Sequence, residues 1–598
     1  MPIYKAPLRD IRFVLHELLK LESHCTTLGR EDVTTELVDS ILDEGARFTE
    51  NVVAPLNAPG DEASVQYAAG EVRTPRGFRE AYQQFCADGW ASIVAPVEYG
   101  GQGLPASAEL PLSEMLASGN LAWRTYSGLT IGATLAIERH ATQALKERYL
   151  GKLSNGQWAG TMCLTESQCG TDLGLIRTRA LPCSDGSYSI SGTKIFITGG
   201  EHDLCENIVH LVLAKLADAP EGSKGISLFL VPKFLPDPAG NIGERNAVIC
   251  ASVEHKMGIR GSATCVLNFA DAKGWLIGAP NSGLACMFTM MNHARIGVGV
   301  QGLGLAELAF QGSLSYARER LQGRAPTPAG RTDKPADPII VHPDVRRMLM
   351  TQKALIEGSR MLAYFAATQM DIGHDDPDSQ ARLTANDLLA LLTPIIKAFL
   401  TEVAVESASL GIQIHGGHGY IHETGMEQIL RDARILPIYE GTNGVQALDL
   451  LGRKVLGSRG ELLKCMAGII VEFCGSHGED IALKPFTAAL ASLVREWSEL
   501  TQWIGAAAQR DPNEIGAASV DYLQFAGYVC LAWCWARAAA VAHDAIENGA
   551  AEPDFYQAKI GTAHFYFERV LPRTRAHADA IRAGAGSTMS LDAAHFAF

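Results

Sequence analysis

A block of short β-rich runs interrupts an otherwise helical chain of 598 residues, and this order limits the folds open to it. Apolar residues recur at helical spacing from about residue 31 to 155 and again from about 284 to the end. Between these regions, strand-forming runs such as Lys194–Thr198 are separated by turns such as Ser184–Gly186 and Asp237–Gly240. Helices, then strands, then helices predict an α+β protein with the two kinds of structure in separate domains.

The same pattern divides the chain into four predicted domains. An N-terminal helical domain covers 1–157, and a middle antiparallel β domain covers 158–282. Helices return over 283–456, and an Ala-rich helical region with several tryptophans covers 457–598. The Pro- and Gly-rich stretch Gly323–Pro343 interrupts the third domain and is predicted to be a surface loop.

Composition narrows the class of protein. The net charge of −15 lacks the basic balance of a nucleic-acid-binding protein, so we expect no nucleic-acid partner. The thirteen cysteines form no C-x-x-C pair and no Cys/His cluster at zinc spacing, so we expect no metal site and a reducing compartment. Charges near the first residue and the lack of a run of about 18 apolar residues predict a cytoplasmic protein without a transmembrane segment.

One glycine motif needs an interpretation. The run from Gly297 to Gly302 matches the dinucleotide-binding pattern G-x-G-x-x-G. That pattern binds phosphates only when a strand precedes it and a helix opens at the glycines. Here the residues on both sides, Met287–Arg295 and Leu303–Ala306, have helical character. We therefore interpret the glycines as small residues in a close-packed helix.

The tetrad Tyr439-Glu440-Gly441-Thr442 carries the strongest chemical signal. It places a carboxylate just before a glycine, at the end of the apolar run Ile435–Ile438. A carboxylate in apolar surroundings loses hydration, which raises its pKa toward neutrality. Such a group can act as a base on a weakly acidic C–H bond. Glu440 is thus a candidate catalytic base, and a solvated glutamate at a turn is the alternative interpretation of the tetrad alone.

Five segments occur in an order and at spacings that resemble the acyl-CoA dehydrogenases, FAD enzymes that introduce a double bond between the α and β carbons of an acyl-CoA. The segments are Cys163–Asp172, Phe196–Gly200, Lys256–Thr264, Tyr316–Gly323 and Gln413–Thr442. The resemblance covers about residues 35–456. The additional C-terminal region is similar to the long members of the family, which include bacterial fatty acyl-CoA dehydrogenases.

The resemblance implies the fold of each domain and the residues that bind FAD. It implies a middle β-barrel or sandwich, a C-terminal four-helix bundle that carries the FAD site and the catalytic glutamate, and an extra helical C-terminal domain. The implied FAD-binding residues are Cys163, Leu164, Thr165, Phe196, Ile197 and Thr198 in the β domain, and Arg320, Gln322, Gln413, Gly416, Gly417 and Thr442 in the bundle. The aromatic ring of Phe196 replaces the tryptophan that is usual in the family.

The resemblance also implies which residues meet the acyl-CoA. These are Thr171, Asn292, Arg295 and Gly441. Asn292 replaces the acid of the family's Asp-x-x-Arg element, and Gly444 stands where many members have a glutamine, so those two contacts differ from the usual pattern.

The implied activity is the FAD-dependent conversion of an acyl-CoA to a trans-2-enoyl-CoA, as in fatty-acid β-oxidation. The implied electron acceptor is electron-transfer flavoprotein. We expect a homo-oligomer, with a dimer favoured, and the helical C-terminal region could form a dimer face or touch a membrane. The acyl group stays open, and straight-chain, aryl-acyl and 3-methylmercaptopropionyl groups are alternatives.

Three other functions compete. An acyl-CoA oxidase would use the same glutamate but pass electrons to oxygen. A flavin monooxygenase or nitroalkane oxidase on this scaffold would not need Glu440 in this form. A non-catalytic assembly or binding protein would contain no FAD and turn over no acyl-CoA.

Overall fold

The computed structural model describes residues 2–237 and 240–597, so the predicted turn Asp237–Gly240 lies partly outside the described residues. The chain forms two compact units. The bundle unit comprises Met1–Ala46, Ala106–Glu114 and Val298–Phe598. The barrel unit comprises Arg47–Pro105 and Met115–Gly297. The four predicted domain boundaries stay a prediction.

Helices make up most of the part of the chain that the structure describes. The longest are Thr35–Phe48, Ala106–His140, Gln143–Ser154, Gly283–Glu319, Pro343–Asp375, Ser379–His415, Glu461–His477, Lys484–Ala508, Asn513–Glu547, Pro553–Phe565 and Arg573–Ala583. The shorter α-helices are Leu8–Arg12, Leu21–Thr27, Asn57–Ala63, Phe78–Ala87, Met426–Ala433, Asn443–Leu448 and Gly586–Met589. Four segments are π-helical: Phe13–Leu18, Thr49–Val53, Asp449–Leu456 and Tyr566–Val570.

The strands confirm the predicted position of the β region. They are β1 Gln66–Ala68, β2 Glu71–Arg73, β3 Trp158–Cys163, β4 Arg179–Pro182, β5 Tyr188–Thr198, β6 Asn207–Leu216, β7 Ile226–Pro232, β8 Phe234–Pro236, β9 Ile242–Arg245, β10 Val248–Val253 and β11 Thr264–Ile277. The short hairpin β1–β2 was not expected in the helical N-terminal region. Its turn residues, Ala69 and Gly70, both adopt positive φ angles.

Five strands of the barrel unit close on themselves. β11 pairs with β5, β5 with β4, β4 with β6, β6 with β7, and β7 returns to β11. The sheet is extended by β10 beside β11 and by β3 beside β6. The expectation of a purely antiparallel sheet is corrected at two pairs, because β3 and β4 both run parallel to β6. Strands reached through intervening loops rather than tight turns can pair in parallel.

The glycine motif of the bundle unit serves helix packing, as predicted. A Cβ atom on Gly299 would lie 2.8 Å from the carbonyl oxygen of Ile396. A Cβ atom on Gly302 would lie 2.7 Å from the carbonyl oxygen of Leu400. Both distances are shorter than atomic contact allows, so these glycines let helices Gly283–Glu319 and Ser379–His415 approach closely.

The C-terminal region packs into the bundle unit. The indole nitrogen of Trp535, on helix Asn513–Glu547, donates a 2.9 Å hydrogen bond to the carbonyl oxygen of Ala354. Helix Asn513–Glu547 and the segment Ser379–Tyr420 are long and apolar enough to cross a membrane, but 89% and 78% of their apolar windows are buried. Their apolar surface is therefore explained by the core of the unit.

A buried ion network joins distant parts of the bundle unit. Arg360 donates to Glu114 at 3.0 Å, to Glu307 at 2.8 Å and to Asp10. Lys559 donates to the same Asp10 and is the second cation of the network. Burial opposes ionisation of Asp10, but these two cations hold the pKa of its carboxyl well below the usual range.

Candidate active site

Glu440 lies on a short loop between helices Met426–Ala433 and Asn443–Leu448. Its φ angle is +56°, and that of Gly441 is +86°. A left-handed conformation costs a non-glycine residue about 1–2 kcal/mol, so neighbouring contacts must hold it. The Glu440 side chain is half-buried. A strained, partly sheltered carboxylate is the kind of group that active sites retain.

Two hydrogen bonds close this loop. The side-chain amide of the buried Gln446 donates to the carbonyl oxygen of Glu440 at 3.2 Å. The backbone N–H of Asn443 donates to the carbonyl oxygen of Pro437 at 2.9 Å. Thr442 caps the following helix, because its hydroxyl accepts a 3.4 Å bond from the N–H of Val445. The loop is therefore fixed on both sides of the glutamate.

The side chain of Asn443 anchors the loop to helix Ser379–His415. Its carbonyl oxygen accepts a 3.0 Å bond from the ammonium group of Lys397, which is fully buried. Its NH₂ group donates to Glu402 at 2.7 Å and to Thr401 at 3.1 Å. These bonds use the donors and the acceptor of the Asn443 amide, so this residue is held in one orientation.

Tyr439 precedes the glutamate and faces the interior of the unit. Its hydroxyl donates a hydrogen bond to the side-chain oxygen of Gln301. Burial raises the pKa of the Tyr439 phenol, and the negative charge of Glu440 raises it further. Tyr439 is thus neutral and close enough to Glu440 to sense its charge.

The remaining FAD candidates of the bundle unit are exposed. Arg320 follows helix Gly283–Glu319, and its guanidinium lies 3.5 Å from the side-chain oxygen of Gln322. Gln413 lies in the last turn of helix Ser379–His415, and the exposed glycines Gly416 and Gly417 follow it. A Cβ atom added to either glycine would meet nothing within 4 Å, so the backbone there is open to a ligand.

Asp337 organises the loop that follows Arg320. The sequence predicts this stretch, Gly323–Pro343, only as a surface loop. Its carboxylate accepts hydrogen bonds from the N–H groups of Thr332 at 2.6 Å and Ala325 at 2.7 Å. These two backbone donors lower the pKa of Asp337 to about 2. The backbone oxygen of Asp337 also accepts a 3.0 Å bond from the N–H of Gln322, which ties the loop to the Arg320 segment.

In the barrel unit, the segment Cys163–Asp172 is held by a buried ion pair. Lys194 lies 2.9 Å from Glu166 and also donates to the carbonyl oxygen of Leu164 at 2.9 Å. The carbonyl oxygen of Thr165 accepts a 2.9 Å bond from the N–H of Ile195. The structure therefore brings the first two predicted FAD-binding segments together along β5.

The side chains of these two segments differ in what they can offer. Cys163 and Ile197 are buried, so only their backbone atoms can contact a ligand. Thr165 and Thr198 are half-buried, so neither side chain is enclosed by the core. Phe196 is 59% exposed and has a φ angle of +59°, so a large aromatic ring is presented on a strained backbone.

Of the predicted acyl-CoA residues, Thr171, Asn292 and Arg295 belong to the barrel unit and Gly441 to the bundle unit. Arg295 is buried on helix Gly283–Glu319, and its guanidinium lies 3.4 Å from the side-chain oxygen of the exposed Asn292. The guanidinium also lies 5.8 Å from the ring centroid of Phe288. Thr171 is exposed, and Gly441 follows the catalytic candidate in its loop.

Sequence reasoning missed the residues that support the site. Glu166 lies inside the segment Cys163–Asp172 and Lys194 begins the strand-forming run Lys194–Thr198, but their pairing spans 28 positions. Gln446 and Lys397 lie outside the tetrad, on different helices. The sequence signal was Lys397, which stands inside the apolar run Thr393–Leu400. A lysine is rarely buried without a partner, so its position indicates a polar contact nearby.

Four family descriptions match successive parts of the chain. They are the acyl-CoA dehydrogenase N-terminal domain at residues 35–157, middle domain at 161–272 and C-terminal domain at 281–456, and the acetyl-CoA dehydrogenase C-terminal-like domain at 466–592. Together with the site geometry, these matches define an FAD-dependent oxidoreductase acting on acyl-CoA thioesters. The chain belongs to the acyl-CoA dehydrogenase family.

Relatives of similar length support this assignment. The 3-methylmercaptopropionyl-CoA dehydrogenase of Ruegeria pomeroyi is 43% identical over 95% of this chain and 96% of its own. A broad-specificity linear acyl-CoA dehydrogenase of Mycobacterium tuberculosis is 35% identical over the whole of both chains. The expected similarity to the long members of the family is confirmed.

Solved structures show the same fold. Caenorhabditis elegans ACDH-11, in complex with C11-CoA, superposes with a TM-score of 0.77 at 20% identity, over 95% of this chain and 91% of its own. A Bacillus anthracis acyl-CoA dehydrogenase complexed with FAD superposes with a TM-score of 0.74 at 22% identity, over 93% and 89%. At these identities the similarity establishes the fold.

The residues present fit FAD. The exposed ring of Phe196 offers a flat apolar surface, and the hydroxyl of the half-buried Thr198 is a donor of the kind that a flavin heteroatom accepts from. The open backbone at Gly416 and Gly417 allows close approach, and the exposed guanidinium of Arg320 suits a pyrophosphate.

Proposed function

We propose that the protein catalyses the α,β-dehydrogenation of an acyl-CoA to a trans-2-enoyl-CoA, with Glu440 as the base. The observation that carries the proposal is the braced, left-handed Glu440 in a chain of this family. A glutamate whose strained backbone is held by a side-chain hydrogen bond to its carbonyl oxygen suits a single chemical task at a defined position.

The residues of the chain perform three tasks in this reaction. The carboxylate of Glu440 removes the proton from the α carbon. The N–H of Glu440 donates to the thioester carbonyl oxygen, which stabilises the developing enolate and acidifies the α C–H bond. In the barrel unit the segment around Phe196 would hold FAD, and in the bundle unit the open glycines and Arg320 would do so. Bound FAD supplies the acceptor for the hydride equivalent that leaves the β carbon.

The test is substrate reduction of the bound flavin without oxygen. Glu440→Gln keeps the shape of the side chain and removes the base, so the variant should retain FAD but lose bleaching by acyl-CoA by more than about a thousandfold. Glu406→Gln is the control, because it makes the same substitution outside the Glu440 loop. Glu406 lies on helix Ser379–His415, and its carboxylate accepts a 2.9 Å hydrogen bond from Arg573. Wild-type bleaching in Glu440→Gln would eliminate Glu440 as the base.

Electron-transfer flavoprotein is the proposed electron acceptor. One similar solved structure, 27% identical with a TM-score of 0.58, is described as the electron transferring flavoprotein of Acidaminococcus fermentans. Turnover with acyl-CoA in air distinguishes this acceptor from oxygen. A dehydrogenase reduces added electron-transfer flavoprotein and forms little peroxide, whereas peroxide formed in step with enoyl-CoA would identify an oxidase.

The second candidate substrate is 3-methylmercaptopropionyl-CoA. It is favoured by the 43% identity to the Ruegeria pomeroyi enzyme of that name. Straight-chain acyl-CoA is favoured by the Mycobacterium tuberculosis relative. Rates of anaerobic bleaching with straight-chain thioesters of graded length, an aryl-acyl-CoA and 3-methylmercaptopropionyl-CoA will rank these substrates.

We further propose that the protein is a cytoplasmic homodimer with the four domains 1–157, 158–282, 283–456 and 457–598. The buried positions of its two most apolar helices support a location in solution rather than within a membrane. Light scattering at several concentrations tests the dimer, and limited proteolysis tests the boundaries.

A further inference from the structure

Gln446 is a buried residue six positions after Glu440, and its side chain lies against the loop that carries Glu440. Its NH₂ group donates to the carbonyl oxygen of Glu440 at 3.2 Å. The reverse orientation would place two oxygen atoms against each other, so only the NH₂ group can face that carbonyl. The side-chain oxygen of Gln446 is buried without a hydrogen-bond partner among the described residues.

This arrangement is costly for the folded state. A buried acceptor without a partner has lost its hydrogen bonds to water and gained none in return, which destabilises the protein. An apolar side chain of the same length would avoid that cost, but it would leave the carbonyl oxygen of Glu440 without this donor. The hydrogen bond to Glu440 is thus the one described contribution that the Gln446 side-chain amide makes.

The direction of the Glu440 carbonyl oxygen depends on how the peptide group between Glu440 and Gly441 is rotated. Both residues have positive φ angles, and glycine permits that peptide to rotate at little steric cost. Because Asn443 anchors the chain after the loop, such a rotation would change the ψ angle of Glu440 and move its N–H and carboxylate together relative to the rest of the bundle unit. A donor fixed below the loop prevents this rotation.

We propose that Gln446 is a positioning residue for the dehydrogenation. Its amide locks the Glu440–Gly441 peptide so that the Glu440 carboxylate and N–H address the α carbon and the thioester oxygen together. This inference rests on the proposed function of Glu440. A buried side chain that touches neither acyl-CoA nor FAD thus controls the geometry of proton removal.

Gln352 provides a matched control in the same unit. It is also fully buried, its NH₂ group donates to a backbone carbonyl oxygen, that of Ser407, at 2.7 Å, and its side-chain oxygen also has no partner among the described residues. Gln446→Met and Gln352→Met therefore remove the same groups at two places. Only the first removes a contact with the Glu440 loop.

The experiment compares FAD content, melting temperature and the anaerobic rate of flavin reduction at saturating acyl-CoA. We expect Gln446→Met to reduce at least about tenfold more slowly than wild type, with FAD content and melting temperature close to those of Gln352→Met. Gln352→Met should reduce at close to the wild-type rate. A Gln446→Met rate within twofold of wild type would overturn the proposal.

A second variant gives a signature that a structural role alone would not produce. Gln446→Glu can donate an O–H to the Glu440 carbonyl oxygen only while its carboxyl is protonated. The ratio of its rate to the wild-type rate should therefore rise as pH falls, and a ratio independent of pH counts against the proposal. If Glu440→Gln still reduces the flavin, the proposed function fails. If Glu440→Gln is inactive and both Gln446 variants behave as wild type, only the positioning role fails.

Discussion

The ammonium nitrogen of Lys194 lies 2.9 Å from a carboxylate oxygen of Glu166, and both side chains are buried in the barrel unit. The carboxylate also accepts hydrogen bonds from the N–H groups of Arg177 at 2.7 Å and Thr178 at 3.0 Å. Burial would raise the pKa of Glu166, but Lys194 and these donors lower it from 4.5 to about 2. The pair fixes the segment that carries Leu164 and Thr165.

A folded-state pKa below the unfolded value means that the ionised Glu166 stabilises the protein at higher pH. This contribution is complete above about pH 4.5 and is lost as pH falls toward 2. We therefore expect acid unfolding of wild type in that window, measured by far-UV circular dichroism. Glu166→Gln should be less stable at pH 7, and the difference from wild type should shrink as the solution is acidified.

Removing the cation of this pair should be more damaging than removing the carboxylate charge. Lys194→Met leaves Glu166 as a buried, unpaired charge, which costs about 3–5 kcal/mol. The double variant Lys194→Met/Glu166→Gln should recover part of that loss, because no unpaired charge remains. Equal melting temperatures for the single and double variants would contradict this assignment.

Arg320 should contribute to FAD retention rather than to chemistry. Arg320→Gln removes a charged donor from an exposed position, and we expect FAD to bind about 10–100-fold more weakly, with the loss smaller at high salt. Arg318→Gln is the control, because it removes an equally exposed guanidinium two residues earlier. Equilibrium titration of the apoprotein with FAD measures both. Unchanged affinity in Arg320→Gln would exclude the phosphate role.

The strained backbone of Phe196 should lower the stability of the protein, whereas its aromatic ring should strengthen FAD binding. Phe196→Gly relieves a φ angle of +59° worth about 1–2 kcal/mol, offset in part by the flexibility of glycine in the unfolded chain. The apoprotein should melt no lower than wild type, yet bind FAD more weakly. Ala69→Gly, at a φ angle of +51° in the β1–β2 turn, should share the thermal effect and leave FAD binding unchanged.

The ion network of the bundle unit should be sensitive to the loss of its central cation. Arg360→Met leaves three acidic partners, among them Glu114 and Glu307, with one guanidinium fewer, and should destabilise the unit by about 3–5 kcal/mol. Adding Glu114→Gln should restore part of this stability, because burial already raises the pKa of that carboxyl. Denaturant titration followed by circular dichroism measures both variants.

Local patterns predicted the parts of the structure that depend on local chemistry. The change from helical to strand periodicity located the β region, and the residues around Gly299 and Gly302 indicated helix packing rather than phosphate binding. The tetrad around Glu440 indicated a candidate site, because residue type and spacing can be read directly from the sequence, and the catalytic role of Glu440 stays a prediction. The resemblance, rather than the periodicity, supplied the residues around Phe196 and Arg320.

Contacts between distant positions could not be predicted from one sequence. The partners of Arg360 lie 350, 246 and 53 positions away, and no local signal connects them. The hydrogen bond from Gln446 to Glu440 requires a turn in which Glu440 adopts a left-handed φ angle. Glutamate rarely adopts such an angle, so the residue type does not predict the turn. The two parallel pairings of β6 likewise depend on how loops close in three dimensions.

The bond from Lys559 to Asp10 spans 549 positions, so a long stretch of chain is synthesised between its two partners. At about 5–20 residues per second, the Asp10 carboxylate waits roughly 30–110 s for its partner. The barrel unit, whose last residue is Gly297, is fully synthesised long before then. From Gly297 to Lys559 the nascent chain therefore carries a complete barrel unit and an incomplete bundle unit, and its need for chaperones should be greatest in that interval.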